Sequence, residues 1–460
     1  MDPTISPFPL TGVQMPAWML RFDKHGACTS PGTREALLQR LHSVPPSDVI
    51  VFSHGWNNDF DDAAGMYADL MRRFEVLCAE HPPTRRFDPL FVGIVWPSIW
   101  LSFDNGPAIA SSGLLGQADA TLTALADQVA ATGGAAALER IYALLAAPGI
   151  DDADAAELAR LIAPAFGLVD DEGAAADGRS TVADDVLVMM RAMDAASPAA
   201  RMDDTDDIDD FSRPAGAGSP TAAGSAQMAG KLQLLDPRTA LRLFSIYQMK
   251  DRAGTVGFRG VSSLLRDLLG VHTQGGIEGP RIHLIGHSFG CKVLLSAICA
   301  APLPRPIASL FLLQPAVSHL CFSESVPGTG RPGGYRAALL PERVMAPIFT
   351  TYSRRDVPLH NTFHLALRRA GDLGEAQIAA DGEATSAGAP SSRYAALGGY
   401  GPRGAGQILV DPLPGAGDSH LPLGTTPIVA FDGSQGQIKG HGDITGPAIA
   451  WALHRLVFRN

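Results

Sequence analysis

Three polar residues stand where apolar, strand-like runs end in this 460-residue chain, and their order is Ser288, Asp356, His441. Ser288 lies in Gly286-His287-Ser288-Phe289-Gly290, between the run Ile282 to Ile285 and an apolar helical run through Ile298. A strand that turns sharply into a helix holds its serine in a strained backbone conformation, and the flanking glycines leave room for the turn. Asp356 follows the run Pro347 to Tyr352, and His441 sits between the last strand-like run and the last helical one, bracketed by Gly440 and Gly442. A serine hydroxyl is a poor nucleophile until a base takes its proton, and an imidazole base needs a carboxylate to fix its tautomer and stabilise the imidazolium. The expected roles are therefore Ser288 as nucleophile, His441 as general base and acid, and Asp356 as the group that orients the base.

In a chain with 49 glycines a G-x-S-x-G on its own is weak, so the surroundings decide. A turn serine, a solvated strand-end carboxylate paired with Arg354 or Arg355, and a structural histidine are the plain alternatives. Asp432 and Asp443 compete for the role of Asp356. Of the 13 histidines, His420, His360 and His364 are weaker candidates for the base, His287 reads as a supporting residue, and His454 reads as a helix-surface residue. Negative charge developing on an attacked carbonyl oxygen needs donors. The Phe289 N–H is one, and the loop His54-Gly55-Trp56-Asn57, after the run Asp48 to Phe52, nominates the N–H of Trp56 or Gly55 as the second. Substrate contacts are expected from His54, His287, Trp96 and Trp100, with core packing as the alternative for the tryptophans.

The elements that must position these residues alternate. Strand-like runs are Pro16 to Phe22, Asp48 to Phe52, Phe91 to Trp96, Ile282 to Ile285, Ile307 to Leu313, Pro347 to Tyr352 and Pro427 to Phe431. Helical patterns cover Thr33 to Leu41, a segment with Met66, Leu70, Phe74 and Leu77, then Ala240 to Arg252, Val261 to Leu269, the run after Ser288, and a last one with Ile449, Leu453 and Leu456. Asp59, Asp61 and Asp62 sit where a helix N-terminus favours negative charge. Several strands are apolar throughout, which predicts an α/β fold with a mostly parallel central sheet and helices on both faces. The organisation expected is a core of residues 1–100 and 236–460 with a helical cap or lid insertion at 101–235. Within the insertion, Ala-rich helical patterns fall at Leu122 to Val129, Leu138 to Leu145, Leu158 to Ile162 and Val186 to Met193, and the acidic tract 201–230 reads as a mobile loop. Residues 371–424 read as irregular.

A net charge of −11 argues against a nucleic-acid partner. The aspartates between Asp203 and Asp210 lack the glycine and terminal glutamate of a calcium loop, so no metal is expected, and no organic cofactor is implied. Five scattered cysteines without a C-x-x-C pair read as reduced, mostly buried thiols. The first residues show no Sec-type signal pattern and no window offers a spanning run, so a cytoplasmic location is expected, with export by a signal-less route left open.

The segments Phe52-Ser-His-Gly-Trp-Asn-Asn58, Gly286-His-Ser-Phe-Gly290, Tyr352-Ser-Arg-Arg-Asp356 and Gly440-His-Gly-Asp-Ile444 together resemble the α/β-hydrolases of the bacterial lipase and esterase kind. The resemblance covers about Pro16 to Ile99 and Ala240 to Asn460. It implies an eight-stranded type of sheet and a serine hydrolase that cleaves carboxylic esters through an acyl-enzyme. The chain departs from the compact pattern in its long insertion and in the long stretch between Asp356 and His441. Amide, thioester or phospholipid cleavage on the same triad, and a non-catalytic binding protein on this scaffold, are the alternatives. A small-molecule or lipid ester is the expected partner, with peripheral lipid contact through the insertion helices; the oligomeric state is not legible.

Overall fold

The computed structural model describes residues 7–56, 58–98, 136–166, 181–195, 234–271, 279–327, 330–345, 347–363, 390, 394–415, 418 and 426–459. Eight strands form one sheet: β1 Ala17–Arg21, β2 Asp48–Ser53, β3 Pro89–Val95, β4 Arg281–His287, β5 Ser309–Leu313, β6 Ile348–Tyr352, β7 Ile408–Val410 and β8 Ile428–Asp432. Their order across the sheet is β1-β3-β2-β4-β5-β6-β8-β7, and every pairing is parallel.

Side chains on a strand point alternately to its two faces, so an apolar run supplies two cores at once. Val49 and Val51 of β2, Leu284 of β4 and Leu310 and Leu312 of β5 enter one cluster; Ile50, Phe52, Ile285, Phe311 and Leu313 enter the other. The first face is covered by α1 Pro31–Ser43, α5 Pro237–Thr255, α6 Ser262–Gly270 and α7 Phe289–Ala300, and the second by α2 Phe60–Glu80 and α8 Pro447–Val457. The expected α/β architecture with a covered parallel sheet is thus present. The acidic residues ahead of α2 form a reciprocal cap: Asp59 Oδ1 accepts from the N–H groups of Asp61 and Asp62, and the Asp62 carboxylate accepts from the Asp59 N–H.

In the insertion, residues 136–145 are helical, followed by α3 Asp152–Ile162 and α4 Val182–Ala195. Leu158, Ile162 and Met190 are buried in the cluster that also holds Val256 and Leu294, so these helices share a core with the sheet's first face. The expected helix at Leu122 to Val129, the acidic tract 201–230 and Trp100 lie outside the described residues. Three expectations are corrected. Strand β7 falls in the stretch read as irregular; Ile408-Leu409-Val410 is an apolar run of only three residues at the sheet's edge, too short to stand out in a Gly- and Pro-rich stretch. His454 is buried, stacked on Trp451 at 5.6 Å with its Nε2–H donating to the His81 carbonyl, because the face of α8 that carries it packs on α2. Of the five free cysteines only Cys291 and Cys321 are fully buried. Among the described residues no helix is long and apolar enough to cross a membrane.

Candidate active site

In a parallel sheet the loops that leave the strands' C-terminal ends share one edge. Ser288 follows the last residue of β4, Asp356 lies four residues beyond β6, and His441 lies in the loop between β8 and α8. The structure brings all three together. Ser288 Oγ donates to His441 Nε2 at 2.9 Å, and His441 Nδ1–H donates to Asp356 Oδ2 at 2.8 Å. The tautomer follows from the partners: the carboxylate can only accept, so the proton sits on Nδ1, which leaves the Nε2 lone pair facing the hydroxyl.

The local sequence explains how Ser288 is held. Its φ of 53° and ψ of −123° lie in a region that side chains with a Cβ rarely adopt. The strain is stabilised from both sides, since the Ser288 N–H donates to the Leu313 carbonyl at 3.1 Å and its carbonyl accepts from the Ala316 N–H at 3.2 Å. Glycine is required at Gly290, where an added Cβ would sit 2.1 Å from the Ser53 carbonyl oxygen, and α7 therefore abuts the end of β2. Gly286 faces the Cys291 backbone in the same way, at 2.8 Å from its Cα.

Asp356 is fully buried; besides His441 it accepts from the Leu359 N–H through Oδ1 at 3.1 Å. Its competitors are engaged elsewhere. Asp432 Oδ1 accepts from the Ser434 N–H, and Asp443 Oδ2 accepts from the Lys439 N–H. His360 Nδ1–H donates to the Gly399 carbonyl, and its ring stacks on Tyr400. His364 and His420 lie outside the described residues.

Phe289 is the first residue of α7, and such an N–H has no carbonyl four residues back within its helix. The loop expected to supply the second donor is in place: a Cβ added to Gly55 would meet Ser288 Cβ at 2.7 Å and His287 Nδ1 at 3.0 Å, so its backbone lies directly against Ser288. Trp56 is half-buried beside it, and Asn57 lies outside the described residues.

Three residues expected to touch substrate sit behind the site. His54 is fully buried: its Nδ1–H donates to the Gly55 carbonyl at 2.8 Å and its Nε2 accepts from the Trp96 N–H at 3.2 Å. Burial lowers its pKa to about 4, so the ring stays neutral and can play both parts. Trp96 is 1% exposed, stacks on His54 at 5.6 Å, and its Nε1–H donates to the His54 carbonyl at 2.9 Å. The His54 N–H donates to the Tyr67 hydroxyl, which donates to the Ile94 carbonyl. His54 and Trp96 thus brace the loop beside Ser288. His287 is buried, its Nε2–H donating to the His441 main-chain carbonyl at 3.0 Å. Burial first, and the neighbouring His441 second, push its pKa well below the ordinary histidine value.

Sequence reasoning missed Gln314 and Thr351. Gln314 follows the last residue of β5, is fully buried, and donates from Nε2 to the same His441 carbonyl at 3.2 Å. The available signal is a polar residue between an apolar strand run and Pro315, the same kind of strand-end position as Ser288. Among the described residues no group of three or more His, Cys, Asp or Glu side chains is arranged to hold a metal ion.

The arrangement has the parts to draw a proton from a strained, buried hydroxyl onto an imidazole backed by a carboxylate, beside backbone amides. No protein family, curated protein or solved structure matches the chain, so its reading rests on that geometry.

Proposed function

We propose that the chain is a serine hydrolase that cleaves carboxylic esters, built on the α/β-hydrolase plan. The observation that carries this reading is the continuous path from Ser288 Oγ through His441 to Asp356, with contacts of 2.9 Å and 2.8 Å. In the mechanism, His441 Nε2 takes the Ser288 proton as Oγ attacks the ester carbonyl. The oxyanion is met by the Phe289 N–H and by an N–H of the Gly55-Trp56 loop, an interaction that strengthens as charge develops. The imidazolium then protonates the leaving alkoxide, the acyl group stays on Oγ, and water activated by the same imidazole releases the acid.

The insertion is read as a cap. Its support is topological: the chain enters it after β3, at the sheet edge that carries Ser288, and returns through α5, which Arg252 ties to the Pro97 carbonyl at 2.7 Å. The test is covalent labelling by a fluorophosphonate. The wild-type chain should label and Ser288→Ala should not; label persisting on Ser288→Ala would mean that another residue is the nucleophile. Hydrolysis rates across simple esters of rising acyl length, beside an amide and a phospholipid, then assign the acyl donor.

A further inference from the structure

Two residues other than glycine have positive φ among the described residues: Ser288 at 53° and Gln314 at 36°. Such a backbone costs free energy that its surroundings must offset, and its use at Ser288 is to present the hydroxyl. At Gln314 it accompanies a fully satisfied amide. The Gln314 N–H donates to Thr351 Oγ1 at 3.0 Å, and the Thr351 hydroxyl donates to Gln314 Oε1 at 3.0 Å. With Oε1 so engaged, Nε2 faces the loop after β8 and donates to the His441 carbonyl at 3.2 Å, with the Asp443 carbonyl at 3.5 Å. A flipped amide would set oxygen against both carbonyls, so the network fixes the orientation.

His287 Nε2–H reaches the same His441 carbonyl at 3.0 Å. We propose that Gln314 and His287 are positioning residues, a two-donor clamp on the His441 main-chain carbonyl that holds the imidazole between Ser288 and Asp356. The inference rests on the hydrolase reading above. The loop needs such a clamp because it runs through Gly440, Gly442 and Gly446, whose backbones resist ordering more than any other residue's. The clamp ties the His441 loop to three neighbouring strands: His287 belongs to the elbow strand, Gln314 follows β5, and Thr351 lies in β6, which leads to Asp356. The rings of His287 and His441 are 4.9 Å apart, so the clamp works only with His287 neutral when His441 takes a proton.

Two variants test the clamp. Gln314→Gly keeps a residue at ease with positive φ and deletes the amide. Its fluorophosphonate labelling rate and its kcat on a short p-nitrophenyl ester should fall about 10- to 100-fold, with KM within about twofold, since Gln314 holds the base and touches no substrate. A folded Gln314→Gly with wild-type labelling rate and kcat overturns the clamp. Gln314→Glu supplies a readout that a merely structural residue would not move. The groups facing that position are Thr351 from β6, His287 from the elbow, and His441 and Asp443 from the loop after β8. A protonated Glu can donate to the His441 carbonyl as the amide does, whereas a carboxylate repels it. The variant should therefore gain a descending alkaline limb in its pH–rate profile as that carboxyl ionises, and a profile superimposed on the wild type overturns the clamp even if Gln314→Gly does not fold. A wild-type chain that fails to label overturns the hydrolase reading and the clamp together; a labelled wild type with unaffected variants overturns the clamp alone.

Discussion

Among the described residues the chain holds a serine, a histidine and an aspartate in hydrogen-bonded sequence twice, once at each edge of its sheet. At the C-terminal edge these are Ser288, His441 and Asp356. At the N-terminal edge, Ser309 Oγ meets His283 Nδ1 at 2.7 Å, and His283 Nε2 meets Asp48 Oδ1 at 2.9 Å. The distances are nearly the same, and strand β4 contributes to both: His283 near its start pairs in register with Ser309, and Ser288 follows its end. Hydrogen-bond geometry alone therefore does not separate a reactive centre from a structural one.

Two other features set the two edges apart: the backbone at the serine and the partners of the carboxylate. Ser309 opens a regular strand, while Ser288 has positive φ at a helix N-terminus where amides can meet a developing oxyanion. The carboxylates differ as well. Asp356 has His441 and one amide as partners, whereas Asp48 is gripped by both terminal nitrogens of Arg85, at 2.7 and 2.8 Å, and by Arg281 at 3.2 Å. Burial, and then the nearby arginine charges, hold the His283 pKa below the ordinary histidine value despite its Asp48 partner. The arginines consume the negative charge that a catalytic imidazolium would need.

The sharpest way to break this comparison is at the serines and acids. Ser288→Ala should lower kcat on the order of 10⁶-fold. Asp356→Asn, by freeing the wrong tautomer of His441, should lower it about 10⁴-fold with the fold retained. Near-normal ester turnover by Asp356→Asn would move the orienting role to another carboxylate. Gly55→Ala probes what the N-terminal edge lacks. The new Cβ, 2.7 Å from Ser288 Cβ, must displace the loop that His54 and Trp96 brace, and kcat should fall on the order of 10²-fold.

How far each edge is legible in the sequence follows from what each is made of. Ser288, Asp356 and His441 can be nominated because each ends an apolar run in a polar or glycine-bearing loop, and strand ends of a parallel sheet converge whatever the intervening length. The pairing of Asp48 with His283 and Ser309 leaves no such trace. These are single polar residues at strand starts, and only the strand order brings residues 48, 283 and 309 side by side. Gln314 is hidden for a related reason, since its role comes from a backbone angle and from Thr351 on the next strand. His54 and Trp96 show the opposite error. Their residue types suggest a binding surface, but only the structure tells which way a side chain faces, and both face inward.

At the N-terminal edge the expected cost of mutation is in stability. Asp48→Asn should leave kcat within about twofold and lower unfolding stability by about 3 kcal/mol, since the half-buried Arg85 loses its counter-charge and the buried His283 loses a carboxylate acceptor for its Nε2–H. Its pH dependence gives the sign. Burial alone would raise the Asp48 pKa, but hydrogen bonds from His283, Arg85 and Ser47 outweigh it and hold the carboxyl well below the usual carboxylate range. The unfolded chain then binds a proton at this residue, near the ordinary value of about 3.9, before the folded chain does, so the contribution is complete above that value and is lost as pH falls below it. Urea midpoints from pH 6 to about 2.5 should fall more steeply for the wild type than for Asp48→Asn, and parallel curves would remove Asp48 from the acid response.

The smallest effect expected is that of Ser309→Ala. Ser309 is 1% exposed and its hydroxyl serves to donate to His283 Nδ1, so its loss leaves one buried ring nitrogen without that partner, at a cost of about 1 kcal/mol in unfolding free energy read from urea curves. Labelling by the fluorophosphonate and kcat should stay within about twofold of wild type, because nothing at this edge presents Ser309 to a substrate. A loss of labelling in Ser309→Ala, with Ser288 intact and the fold preserved, would show that strand geometry and arginine neutralisation are not what separates the two edges.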